Sequence, residues 1–221
     1  MSNQSSGSAA RTRNRWGEGD RLHAEILDAA SRLLSELDNE DGLTIRGVAR
    51  ATGIAPASIY AHFADRAALL DGLLEHEIQR LRERIERAGD SSDATRDVDP
   101  VRRVHDQLHA YCDFAINHPG HYRILFRRPS QAPPSAPSPV IDILALFQHS
   151  LQLAEDAGRR LRLPADRAAV VVFMAAHGRM ALYHSNPTAR SARLVPQFVD
   201  ELTALVLDQE PPPVASIGPA R

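Results

Sequence analysis

Apolar positions along the chain recur every three or four residues over most of its length, and the pattern breaks at glycine, proline and short polar runs. Leu22, Ile26, Ala29, Ala30, Leu33 and Leu37 trace one face of a first helix, with Asp20 able to cap it. Asp38 to Gly42 forms the turn that ends it. After Asp65 a long helix begins with Leu69, Leu70, Leu73 and Leu74, then becomes charged through Arg80, Glu83, Arg84 and Arg87. That charged run reads as a solvated face laced with i,i+4 pairs. After the linker at 89–93, the spacing predicts helices over 99–117, 139–161, 164–186 and 194–207. A kink and short helix at 118–126 and a proline-rich loop at 129–139 separate the first two. The 164–186 helix is apolar on almost every side around Val170, Val171 and Phe173, so it should touch neighbours on several sides. The predicted fold class is all-α: a three-helix head at 20–66, a helical body at 67–209, an arm at 1–19 and a tail at 210–221.

Residues 43–66 carry the most specific local chemistry. Thr44 can cap a helix in which Ile45, Val48, Ala49 and Thr52 share one face and Arg46 and Arg50 share another. Gly53 can take the left-handed conformation that ends it. Pro56 suits the first position of a second short helix, where a missing N–H costs nothing. Ile59 and Phe63 can pack inward, leaving Ala57, Ser58, Tyr60 and His62 elsewhere. Two short helices around a glycine turn make a helix-turn-helix, whose second helix can enter a major groove with its N-terminal residues at the base edges.

The ordered residues of this region resemble the tetracycline-repressor-like (TetR) family of transcriptional regulators. The likeness runs from Ile26-Leu27-Asp28-Ala29-Ala30 and Leu33-Leu34 through Gly42-Leu43-Thr44-Ile45-Arg46, Val48-Ala49 and Gly53-Ile54 to Ser58-Ile59-Tyr60-Ala61-His62-Phe63 and Leu69-Leu70. It is close over residues 21–75 and architectural beyond them. The resemblance implies a DNA-binding head, a helical ligand-binding and dimerisation body, and a homodimer. It places Thr44, Arg46, Pro56, Ala57, Ser58, Tyr60, His62 and Arg66 at the DNA, with Arg66 where the family usually has a phosphate-binding lysine. Ala55 replaces the usual Ser or Thr cap, and Pro56 and Ala57 bring no hydrogen-bonding side chains. Base discrimination would then lean on Arg46, Ser58 and DNA shape. His177-Gly178 and His118-Pro119-Gly120 resemble motifs of one branch of that family.

Charge alters this picture little. The net charge is -2 and the pI about 6.5, so any basic surface must be local. Every basic residue other than histidine is arginine, a bias that runs through the whole chain. Arg11, Arg13 and Arg15 lie around Trp16 in the N-terminal arm, which could reach a minor groove or remain a solvated tail. Cys112 is the lone cysteine, so no internal disulfide can form. No run spans a membrane and the polar N-terminus is no signal peptide, so a cytoplasmic location is expected.

The body offers a ligand-binding set: Tyr111, Phe114, Tyr122, Phe126, Phe147, Gln148, Phe173, His177 and Met180, with most of the aromatic rings expected simply to fill the core. Gly178 costs its helix about 1 kcal/mol relative to Ala, which suggests close helix packing there. Val170, Val171, Leu202, Leu205 and Val206 are expected at a two-fold dimer interface. His105 and His109 have the i,i+4 spacing of a helical metal pair, but no acid-flanked zinc motif surrounds them, and surface histidines with no metal and no cofactor are expected. No nucleotide-binding glycine loop or nucleophile elbow is present, so no catalytic residue can be named. These expectations combine as a ligand-responsive transcriptional repressor, a homodimer released from a palindromic double-stranded DNA operator by a small apolar or amphipathic effector. The alternatives are a metal-responsive regulator and a helical body of other function with a borrowed head.

Overall fold

Capping chemistry sets many of the helix boundaries. The computed structural model describes residues 18–37, 40–90, 99–130 and 141–208. Most of the expected N-terminal arm, most of the proline-rich loop, much of the linker and the C-terminal tail lie outside them, whereas Glu18 and Gly19, expected in the arm, already belong to the first helix. Helix α1 (Glu18–Glu36) leads through a 3-10 turn at Glu40–Gly42 to α2 (Ile45–Thr52). The Thr44 hydroxyl accepts the Gly47 N–H at 3.0 Å and starts α2. Gly53, at φ 76°, ends it, with Ile54 N–H reaching back to the Ala49 carbonyl. Pro56 opens α3 (Pro56–Tyr60) without a side-chain cap from Ala55. Asp65 accepts the Ala68 N–H at 2.8 Å at the start of α4 (Arg66–Asp90).

The body contains α5 (Pro100–Asn117), α6 (Pro119–Ile124), α7 (Ile141–Asp156), α8 (Ala165–Ser185) and α9 (Ala189–Val206). Three boundaries differ from the periodicity. Asp20 lies inside α1, which already starts at Glu18. Helix α7 stops at Asp156 because Gly158 turns the chain at φ 81°. Helix α9 starts five residues before the expected 194, since Thr188 and Ser191 form a reciprocal capping box and Pro196 is accommodated within the helix. None of the described helices is long and apolar enough to cross a membrane.

Two apolar cores share α4. Leu69, Leu70 and Leu73 pack with Ile26, Ala30 and Leu34 of α1, Val48 of α2, Ile59 of α3 and Phe63. From Leu74 onward, Ile78, Leu81 and Ile85 pack with Leu108 and Tyr111 of α5 and with α7 to α9. At 1.5 Å per residue, the 25-residue α4 runs about 37 Å from the small head into the body.

Helix α6 is the wedge between these cores. Ile124 is fully buried in the head cluster, whereas Tyr122 belongs to the body cluster. His121 Nε2–H donates to the Ser31 carbonyl of α1 at 2.9 Å. A Cβ at Gly120 would stand 2.6 Å from the Leu34 carbonyl oxygen, so only glycine lets α6 meet the α1 backbone. Beyond α6, Arg127 pairs with Asp71 of α4 and with Glu40 at 3.3 Å. Arg80 of α4 donates to the Ser31 hydroxyl at 2.6 Å from the other side.

The close approach at Gly120 yields a stability prediction. Gly120→Ala should destabilise by about 1–3 kcal/mol through overpacking against an immovable carbonyl. The melting temperature should fall by roughly 2–4 °C per kcal/mol for a chain of this size. An unchanged melting curve by calorimetry would show that α1 and α6 can part without cost.

Candidate functional site

The head presents a polar rim around a closed apolar core. Ile45, Val48 and Ala49 turn α2 inward, which forces Arg46 and Arg50 outward to solvent. Thr44, Pro56, Ala57 and Tyr60 are exposed on the same small domain, and Ser58 and His62 are half-buried. Tyr60 is 56% exposed, a large ring with no burial of its own to explain it. His62 lies beside His23 of α1, with ring centroids 5.9 Å apart. Arg66, expected at a phosphate, is half-buried and bonded within the head. Its Nε donates to the Leu43 carbonyl at 2.7 Å and its Nη2 to the Glu40 carbonyl, so the guanidinium pins the turn ahead of α2. A side chain held there supports the helix-turn-helix from behind.

In the body, the expected ligand set divides. Phe126, Phe173 and His177 line an apolar groove of about 330 Å³, together with Ile141, Leu144, Val170 and Met174. Tyr111 and Tyr122 stand behind His177. The Tyr122 hydroxyl is 2.7 Å from His177 Nδ1 and 3.4 Å from the His177 carbonyl, while the Tyr111 hydroxyl lies 3.5 Å from the same Nδ1. Tyr122 has a single proton: with His177 protonated on Nε2 that proton goes to Nδ1, and with His177 protonated on Nδ1 the phenol oxygen accepts and its own proton goes to the His177 carbonyl. Burial lowers the pKa of His177, which favours the neutral imidazole. Burial raises both phenols, Tyr122 to about 12, so each stays protonated and able to donate. Phe126 and Phe173 flank the imidazole at centroid distances of 4.1 and 6.1 Å. His184 stacks on the other side of Tyr122 at 4.8 Å.

The remaining members go elsewhere. Phe147 and Met180 are fully buried core residues. Phe147 meets Tyr111 edge-on at 6.5 Å. Gln148, one residue on from Phe147, is exposed on α7. Phe114 lines a separate polar cleft of about 170 Å³ with Arg80, Arg84, Arg87, His118 and His121. Sequence reasoning missed Ile141, Leu144, Met174 and His184. Val170, Phe173, Met174 and His177 do share a helical face, so the phase of α8 could have brought Met174 into the set.

The apolar face of α8 and α9 also sorts differently. Leu202 and Val206, expected at a dimer interface, are 6% and 4% exposed and belong to the body core. Val170 forms part of the groove. Val171 and Leu205 do face solvent, and Met174 and Leu182 join them, with Leu182 70% exposed. A Cβ at Gly178 would meet nothing within 4 Å, so the expected close packing there does not occur among the described residues. Cys112 is fully buried on α5, and burial pushes its thiol up to about 12.

The comparisons with known proteins match both halves. Residues 26–73 match the model of bacterial regulatory proteins of the tetR family, and residues 104–209 match the tetracyclin repressor-like C-terminal domain. The nucleoid occlusion factor SlmA of Vibrio campbellii is 30% identical over 101 residues, which are 46% of this chain and 49% of that protein. The chain thus spans about half the length of the curated relatives it matches. Among solved structures, a protein of unknown function from Rhodococcus sp. RHA1 is similar with a TM-score of 0.67 and 27% identity, covering 90% of this chain and 100% of that one. A tetR-family transcriptional regulator from Streptomyces coelicolor shares the fold with a TM-score of 0.63 and 18% identity, covering 84% of this chain and 80% of that one. With its head and its body each matched by a model of the same family, the chain belongs to the TetR family of bacterial regulatory proteins.

Proposed function

We propose that the chain is a ligand-responsive DNA-binding transcriptional regulator, a homodimeric repressor that leaves a palindromic operator when a small molecule enters the groove beside His177. The observation that carries this reading is the double role of α6. One side of it holds α1 through Gly120, His121 and Ile124. Its other side ends on His177 through Tyr122, with Phe126 just beyond at the groove wall. A guest that favours another position of Phe126 or Tyr122 therefore acts on the segment against which the head is packed. Such a guest shifts the population of head spacings by its differential affinity and by nothing else. Two recognition helices must stand about 34–36 Å apart to meet successive major grooves, so a modest shift in spacing weakens operator binding.

The groove also states what its guest should look like. It is apolar with one polar group, and its volume lies at the lower end for small-molecule sites. In the tautomer that accepts the Tyr122 proton at Nδ1, His177 offers an N–H donor from Nε2. The guest is a compact apolar molecule with one hydrogen-bond acceptor, such as a carbonyl or carboxylate oxygen. For assembly, the exposed stripe of Val171, Met174, Gly178 and Leu182 on α8 and Leu205 on α9 supports an isologous two-fold contact, where Gly178 lets the partner's helix approach.

The DNA reading is tested on fragments selected from random double-stranded DNA, by fluorescence anisotropy at several salt concentrations. Arg50→Ala should lower affinity for all fragments and reduce the salt slope by about 1, as loss of one phosphate contact does. Arg46→Ala should change the ranking of fragments. Equal affinity and ranking in both variants would remove α2 from the interface. In the same assay, compounds that raise the melting temperature should release the DNA. His177→Leu should keep DNA binding while losing the response to acceptor-bearing compounds at least tenfold. An identical response would place the effector elsewhere.

Assembly has its own measurement. Leu182→Arg and Leu205→Arg should each give monomers by sedimentation and weaken operator binding together with dimerisation. A monomeric parent protein at micromolar concentration would overturn the two-fold arrangement.

A further inference from the structure

His105, His109 and Asp200 converge where α5 meets α9. The two imidazoles stand one turn apart on α5, with ring centroids 4.4 Å from each other. The carboxylate comes from α9, ninety-five residues further along than His105. His105 Nε2 is 2.7 Å from Asp200 Oδ1 and 3.1 Å from His109 Nε2, and His109 Nε2 is 3.8 Å from the same Asp200 oxygen. Metal–nitrogen and metal–oxygen bonds of about 2.0–2.1 Å at tetrahedral angles put neighbouring ligand atoms about 3.3 Å apart. The three observed separations bracket that value.

The protonation pattern at His105 sharpens the case. Its Nδ1 lies 3.1 Å from Asp106 Oδ1. An ionised carboxylate only accepts, so Nδ1 carries a proton. Nε2, the ring atom left to face the cluster, stands at contact distance from a carboxylate oxygen and a second imidazole nitrogen. A proton on His105 Nε2 serves one line at a time, whereas a metal ion serves all three. Asp106 then stands as the outer carboxylate that orients a ligating histidine. Asp113 lies one turn further along α5 and adds negative charge to the neighbourhood.

We infer that His105, His109 and Asp200 form a binding site for a borderline divalent transition-metal ion such as Zn²⁺ or Co²⁺, held by two imidazoles and one carboxylate with a remaining position for water or an exogenous ligand. Imidazole suits such ions, while an all-oxygen site would be expected for Mg²⁺ or Ca²⁺. The three ligand residues are only half-buried, so the ion can enter without unfolding the body. Bound there, it ties α5 to α9, the helix that carries the outward-facing Leu205. This inference does not depend on the groove at His177.

The test uses the untagged full chain, stripped with a chelator and dialysed. Zn²⁺ is titrated by calorimetry and Co²⁺ by its visible ligand-field absorption. One ion per chain is expected, with a Co²⁺ spectrum of four- or five-coordinate type and a higher melting temperature with Zn²⁺. His109→Gln and Asp200→Asn should each weaken binding at least tenfold while the far-ultraviolet circular dichroism stays unchanged. Asp106→Asn should keep the stoichiometry and weaken binding by about 10–100-fold, as loss of an orienting partner does. His118→Gln and His121→Gln should bind as the parent does. Absence of saturable binding by either metal, leaving only a shared proton at the cluster, would overturn the site. So would full binding in the His105→Gln, His109→Gln double variant.

Discussion

The close approach of Gly120 to the Leu34 carbonyl sets how the α6 backbone meets the head. A missing side chain at one position brings the backbone of α6 against that of α1. Beside the continuous α4, the seam between head and body gathers around this approach: Ile124 entering the head core, His121 reaching Ser31, and Arg80 meeting Ser31 from α4. Interiors pack as densely as organic crystals and do not deform smoothly. Displacing α6 therefore moves α1 or breaks the seam, with little room for intermediate adjustment. The adjacent Arg127 pairs with Asp71 and Glu40, which fastens the chain after α6 to both α4 and the turn before α2.

Helix α8 shows how one element can serve three surroundings. Ala168, Ala169, Val172 and Ala176 face the core, and their small volumes let α7 come close. Val170, Phe173, Met174 and His177 face the groove. Val171 and Leu182 face outward. A helix with apolar residues on every side has no single stripe to follow, and its faces are separated only by what packs against each. Met174 and Val170 lie at the border between groove and outer surface, so the two faces share an edge along this helix.

What could be read from the sequence follows the range of the forces involved. The head was legible almost residue by residue because Thr44, Gly53 and Pro56 act on their immediate neighbours through caps, left-handed turns and fixed φ. The bonds of Arg66 within the head were not, because its partners at Glu40 and Leu43 are more than twenty residues away. In the body, periodicity gave the helices but not their rotation against one another. Leu202, Leu205 and Val206 look alike in the sequence, and only the phase of α9 sends the first and third inward and the second outward. The same holds for Phe147 and Gln148, adjacent residues of α7 of which the first is buried and the second exposed. The His105–His109 pair was visible at its helical spacing, yet its third member comes from α9 and nothing local announces it.

The buried thiol of Cys112 has a consequence of its own. It sits in the middle of α5 with no exposed surface, and its chemistry requires the thiolate. At neutral pH that form is almost absent while the body stays closed. Thiol-directed alkylating reagents and oxidants in the surrounding solution therefore cannot reach this sulfur until α5 separates from its neighbours. The chain thus carries an internal clock: the rate at which its single thiol is modified counts opening events of the body, and a guest or an ion that binds only the closed form slows that clock by the factor with which it suppresses opening.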